Sequence, residues 1–171
     1  MNFIIRKDDF VKIGGFDTNF WPGEDTKLCL DIIGKLERKI IYDPKVLVYH
    51  HRRPIFKEHL SQIGRYGLHR GYFAKILPET SFRISYFFPS LLVMGLIMGP
   101  FSFYFSQTLF TIYAGIVSLY LSVILLTSFL ISLQEKNLSI ALLFIPAIIT
   151  THLFYGLRFL QGYLFTRDLK R

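Results

Sequence analysis

The chain has 171 residues, of which 51% are hydrophobic, with 20 Lys and Arg against 12 Asp and Glu, a net charge of +8. That length holds at most one soluble domain of ordinary size, and the single cysteine, Cys29, excludes an internal disulfide and reads as a buried thiol. Residues 1–83 carry 15 basic and 10 acidic side chains, whereas between 84 and 157 only Glu135 and Lys136 are charged.

The second half therefore reads as membrane, and about 80 residues remain outside it, few for an independent soluble core. The basic residues are interspersed with carboxylates, which argues against nucleic acid as a partner. Beside membrane spans they suit anionic lipid head groups instead. Met1 to Ile5 is too short an apolar run for a signal peptide and is followed by Arg6, Lys7, Asp8 and Asp9.

In chain order, residues 2–5 read as a strand end, and Asp8 or Asp9 caps a brief helix through Ile13. Gly14-Gly15 stops it. Residues 16–22 form a loop with the aromatics Phe20 and Trp21. A helix is expected from about Glu24 to Leu36, with Leu28, Ile32 and Leu36 spaced i, i+4, i+8. Residues 39–42 and 46–50 read as strands around an Asp43-Pro44 turn.

Residues 57–83 hold a basic amphipathic segment. Leu60, Ile63, Phe73, Ile76 and Leu77 fall roughly on one face, and Lys57, Arg65, Arg70 and Lys75 reach toward head groups, as in an interfacial helix. Gly64, Gly67 and Gly71 weaken it and allow a break. A helix packing on the rest of the chain is the alternative.

Three apolar runs follow, about 84–105, 109–133 and 138–157, each near the ~20 residues needed to cross ~30 Å of hydrocarbon. Pro89, Pro100 and Pro146 predict kinks. The positive-inside rule puts the basic first half in the cytoplasm. Three spans, the favoured count, then leave Arg167, Lys170 and Arg171 on the far side, against the same rule; either one run is re-entrant or the larger charge load of the first half dominates.

The order Asn2-Phe3-Ile4-Ile5-Arg6, Gly14-Gly15-Phe16-Asp17, Gly23-Glu24-Asp25, Tyr42-Asp43-Pro44 and Val48-Tyr49-His50 resembles the C-terminal part of the catalytic domain of family 2 glycosyltransferases with a GT-A fold. The segment Thr151 to Gly162 resembles the last span of bacterial and archaeal membrane-bound members that build surface polysaccharides. The resemblance implies an α/β C-terminal portion of a GT-A domain at 1–56, then an α-helical region of about three spans. It implies transfer of a sugar from a nucleotide diphosphate sugar to a lipid-linked or polysaccharide acceptor, at the cytoplasmic face of the plasma membrane.

Residue by residue, the resemblance makes Asp25 the general base that takes the acceptor hydroxyl proton in an inverting displacement. Glu24 sits beside it. Gly14 and Gly15 lie close to the donor sugar, where a side chain would obstruct the approach. His50 helps hold a divalent metal, Mn²⁺ or Mg²⁺, on the diphosphate. Gln62-Ile63-Gly64-Arg65-Tyr66 resembles the Gln-x-x-Arg-Trp motif, in which Gln62, Arg65 and Tyr66 bind the diphosphate and the acceptor end. Tyr66 stands where that motif has Trp, which leaves processivity open.

Each of these residues also has a plainer reading. Asp17 and Asp25 fit turn and helix-start acids, His50 a strand end, and Gln62 and Arg65 the polar side of an interfacial helix. No Asp-x-Asp metal site occurs in the chain. The resemblance therefore implies that an N-terminal nucleotide-binding half, whether lost from this chain or carried on a separate one, shares the metal. The chain alone is then expected to be inactive. The competing expectation is a non-catalytic membrane-anchoring or partner subunit, from a split or remnant transferase.

Overall fold

The computed structural model describes residues 3–20, 23–49 and 53–169. These form seven α-helices: α1 Lys7–Lys12, α2 Glu24–Leu36, α3 Lys57–Ile76, α4 Pro78–Ser81, α5 Ile84–Met98, α6 Gln107–Glu135 and α7 Leu138–Leu160. A 3₁₀ turn extends α5 through Tyr104, and a wider helical turn extends α7 through Phe165.

The expected α/β architecture is corrected: the fold is all-helical, with no strand among the described residues. Residues 3–6, 39–42 and 46–49 are irregular. A strand needs a neighbouring backbone to bond to. Here the backbone bonds of this stretch are local, from Val46 N to the Asp43 carbonyl and from Leu47 N to the Lys45 carbonyl. Alternating apolar side chains make a segment fit for a sheet without supplying the sheet.

The first part of the chain builds little core. α1 stops at Gly14 and Gly15, both in the left-handed region at φ 84° and 76°, where glycine is unstrained. α2 buries Leu28 and Ile32, as their spacing predicts. It ends at Glu37, also left-handed (φ 52°), with Arg38 N bonded to the Ile32 carbonyl.

The packed centre lies between α3, α5 and the second half of α7. α3 is a continuous helix, without the break its glycines would allow, and those glycines make its closest contact. A methyl group added at Gly67 would lie 2.6 Å from the Tyr155 carbonyl oxygen, and one at Gly71 would lie 2.9 Å from Tyr163 N. On the α7 side, a methyl at Gly162 would meet the backbone of Leu68 and lie 2.9 Å from Tyr72 N. Small residues let the two backbones touch, the usual device for joining helices where leucine gains nothing over lipid.

The contacts run parallel along both helices. They begin at His59 Nε2 with Thr151 Oγ1 (3.0 Å) and end at Lys75 Nζ with the Thr166 carbonyl (2.5 Å). Phe159, fully buried, fills the middle against Phe87 at 4.8 Å between ring centroids.

Three helices are long and apolar enough to cross a membrane: Ile84–Tyr104, Gln107–Glu135 and Leu138–Phe165. The sequence predicts all three, although the last continues past residue 157, where its apolar run ends. A polar turn joins the last two, in which the Asn137 side chain accepts from Ser139 N and Ile140 N. The three do not share one axis. Gly99–Tyr113 and Phe103–Phe110 set α5 and α6 in opposite senses. Tyr120–His152 and Ser128–Ala141 do the same for α6 and α7, and Phe87–Tyr163 with Ser90–Gly156 for α5 and α7. Three straight rods cannot all be mutually antiparallel along one direction, so at least one crosses obliquely. Pro89 lies inside α5 and Pro146 inside α7, residues suited to such a departure.

Candidate functional site

The acidic pair Glu24-Asp25 forms the first turn of α2, where carboxylates are favoured by the helix dipole. Gly23, buried, precedes it and lies directly against the Phe73 ring of α3. Any side chain at Gly23 would occupy the space of that ring. Phe20 flanks Phe73 at 6.3 Å between centroids, and Lys27 Nζ stands 5.5 Å from the centre of the Phe20 ring. The residue just before the acid pair thus rests on α3.

Asp25 Oδ1 accepts from Thr26 N at 2.7 Å and from Thr26 Oγ1 at 3.4 Å. Glu24 Oε2 is buried with no hydrogen-bond partner among the described residues. An unpaired buried carboxylate oxygen is costly, which makes Glu24 the most unusual polar group outside the apolar helices. One turn on, burial pushes the Cys29 thiol pKa up, and the Asp25 charge adds to that shift.

Gln62 and Tyr66 are joined, Gln62 Nε2 donating to Tyr66 Oη at 3.0 Å. At 100° per residue, Gln62, Tyr66, His69 and Phe73 fall on one stripe of α3, with Tyr66 about 10 Å along the axis from Phe73. Gly23, just before the acid pair, therefore meets α3 on the face that carries Gln62 and Tyr66. Arg65 is exposed and lies about 80° around the helix from Phe73.

His69 Nδ1 lies 2.5 Å from the Arg65 carbonyl. Burial, with the nearby charges of Arg158 and Arg65, lowers the His69 pKa against the opposing pull of that carbonyl, so the neutral ring is favoured. Gly14 and Gly15 belong to the turn after α1. A Cβ at Gly14 would meet open space, and one at Gly15 would come 3.3 Å from the Phe10 ring. His50 lies outside the described residues.

On its other side Tyr66 borders a cavity of about 380 Å³ between α3, α5 and α7, with Arg70, Tyr86, Thr151, His152 and Tyr155 around it. The Arg70 guanidinium sits 4.4 Å from the centre of the Tyr86 ring. Arg158, further along α7, donates from Nε to the Gly64 carbonyl at 3.4 Å and from a terminal nitrogen to Gln161 Oε1 at 2.6 Å. The sequence marks Arg70 and His152 as polar groups beside apolar runs. It does not show that Tyr86, Tyr120 and Tyr155 join them, because most of those pairings link residues well separated along the chain.

Among the described residues, no three His, Cys, Asp or Glu side chains come together in a way that could hold a metal ion. Comparison of the chain with protein-family models, with curated proteins and with solved structures gave no match.

Proposed function

We propose that the chain is the membrane-embedded part of a sugar transferase of the family 2 type. It moves a sugar from a nucleotide diphosphate sugar to a lipid-linked or polysaccharide acceptor, at the cytoplasmic face of the plasma membrane. The observation that carries the reading is the contact of Gly23, which leads into Glu24-Asp25, with Phe73 on the α3 face that also holds Gln62 and Tyr66. The helical fold replaces the α/β portion that the resemblance implies, so the reading rests on these residues and on the three apolar helices.

In this reading the Asp25 carboxylate takes the proton from the acceptor hydroxyl as that oxygen attacks the anomeric carbon. The bond to the nucleotide diphosphate breaks, and the configuration inverts. The Asp25 oxygen not held by Thr26 is the natural proton acceptor. Glu24, beside it at the start of α2, orients the acceptor. A general base of this kind contributes about 10²- to 10⁴-fold to rate.

The test is transfer of radiolabelled sugar from a panel of nucleotide diphosphate sugars into lipid and polymer fractions, in membranes that carry the protein with its native partners. Asp25→Asn is expected to lower turnover at least about a hundredfold with little change in protein level. Normal turnover in Asp25→Asn would refute the assignment.

A further inference from the structure

Beside the cavity at Arg70 lies a second, larger one of about 630 Å³ between α5 and α6. The two adjoin, with Pro89 and His152 in the walls of both. Their chemistry differs. The first holds a cation, tyrosine rings, and the hydroxyls of Ser85 and Thr151. The second is walled chiefly by Leu, Ile, Val and Phe side chains, with a floor at Gly95, where a Cβ would meet nothing within 4 Å. Among the described residues no carboxylate lines either cavity, and none is paired with Arg70.

An occupant must therefore bring one anionic polar end and one long apolar end. The polar end sits where Tyr86 and Ser85 begin the first apolar helix, and the apolar end runs along that helix toward Ser102 and Leu109. Water would be a poor tenant of the apolar part, which offers almost no hydrogen bonds. A soluble anion would leave it empty.

We propose that these two adjoining cavities together hold one acidic phospholipid of the bilayer. The phosphate pairs with Arg70, held in place by the Tyr86 ring, and an acyl chain fills the groove between α5 and α6. The site stands on the two cavities and does not depend on the transferase reading.

The test is native mass spectrometry of the full chain, extracted from vesicles of equal phosphatidylglycerol and phosphatidylcholine. One retained phosphatidylglycerol per chain is expected, in preference to phosphatidylcholine. Arg70→Gln is expected to lower that retention about tenfold, the loss of one charge-assisted contact, and Arg70→Lys to restore part of it.

Gly95→Leu separates binding from folding, because it fills the groove from a site with open space while improving helix propensity. It is expected to abolish retention while leaving helical content and thermal unfolding intact. Inorganic phosphate in excess is expected not to displace the lipid. Equal retention of both lipids, unchanged retention in Gly95→Leu, displacement by inorganic phosphate, or a dimer broken by Gly95→Leu would each overturn the proposal.

Discussion

Residues 3–56 and residues 57–165 both carry many large apolar side chains, but they use them differently. In the later region α3 and α7 are in backbone contact through glycines, and Phe159 is fully enclosed. In the earlier region Ile41, Tyr42 and Tyr49 are 86%, 87% and 95% exposed, and among its described residues α2 alone carries buried leucine and isoleucine. The later region gains its stability from close fit between helices. The earlier region is held chiefly where Gly23 meets Phe73. Apolar content therefore does not report packing; the distribution of small residues reports it better.

The largest expected effect breaks the close fit. Gly71→Leu drives a side chain into the backbone of Phe159 and Tyr163. It is expected to cost about 3 kcal/mol, read as a lowered thermal unfolding midpoint in detergent. An unchanged midpoint would mean that α3 does not lie on α7.

A smaller effect tests the polar end of the same seam. His59 and Thr151 meet at 3.0 Å, and a double-mutant cycle with His59→Ala and Thr151→Val is expected to give a coupling of about 0.6 kcal/mol. Zero coupling would confine the seam to its glycine part.

The earlier region is sharpened by pH. Burial opposes ionisation of Asp31, but the hydrogen bonds and charges of Lys27 and Lys35 outweigh it and hold the carboxyl below its ordinary range. The ion pairs measure 2.6 and 3.3 Å. A lowered folded-state pKa contributes stability above the unfolded pKa, and that contribution is lost as pH falls through the folded one. Asp31→Asn is therefore expected to cost about 0.5 kcal/mol near neutral pH and nothing in strong acid. An equal cost at both pH values would contradict this.

The smallest effect is a gain. Gly34→Ala adds a methyl in open space on α2 and is expected to stabilise that helix by about 0.5–1 kcal/mol, read as a raised unfolding midpoint.

Much of the helical layout was legible in the sequence. The spacing of Leu28, Ile32 and Leu36 marks α2, and charge-free runs mark the three long helices, because both are local signals. The strands were not, because pairing depends on a partner backbone that alternation at 39–49 does not reveal. The glycines of α3 read as weak points when taken by propensity. Their spacing at 64, 67 and 71, on one side of the helix, is the signal that they form a contact face. Of the candidate site, Glu24-Asp25 was legible as a pair, whereas the contact of Gly23 with Phe73 and the ring of Tyr86 over Arg70 needed the fold.

The most direct measurement is sugar transfer by membranes carrying Asp25→Asn beside those carrying the unchanged protein, at equal protein level. Transfer is expected to fall at least about a hundredfold, with helix content retained and Cys29 alkylated faster once the Asp25 charge no longer opposes its thiolate. Transfer at the unchanged rate, with that faster alkylation confirming the altered neighbourhood, would contradict the role assigned to Asp25.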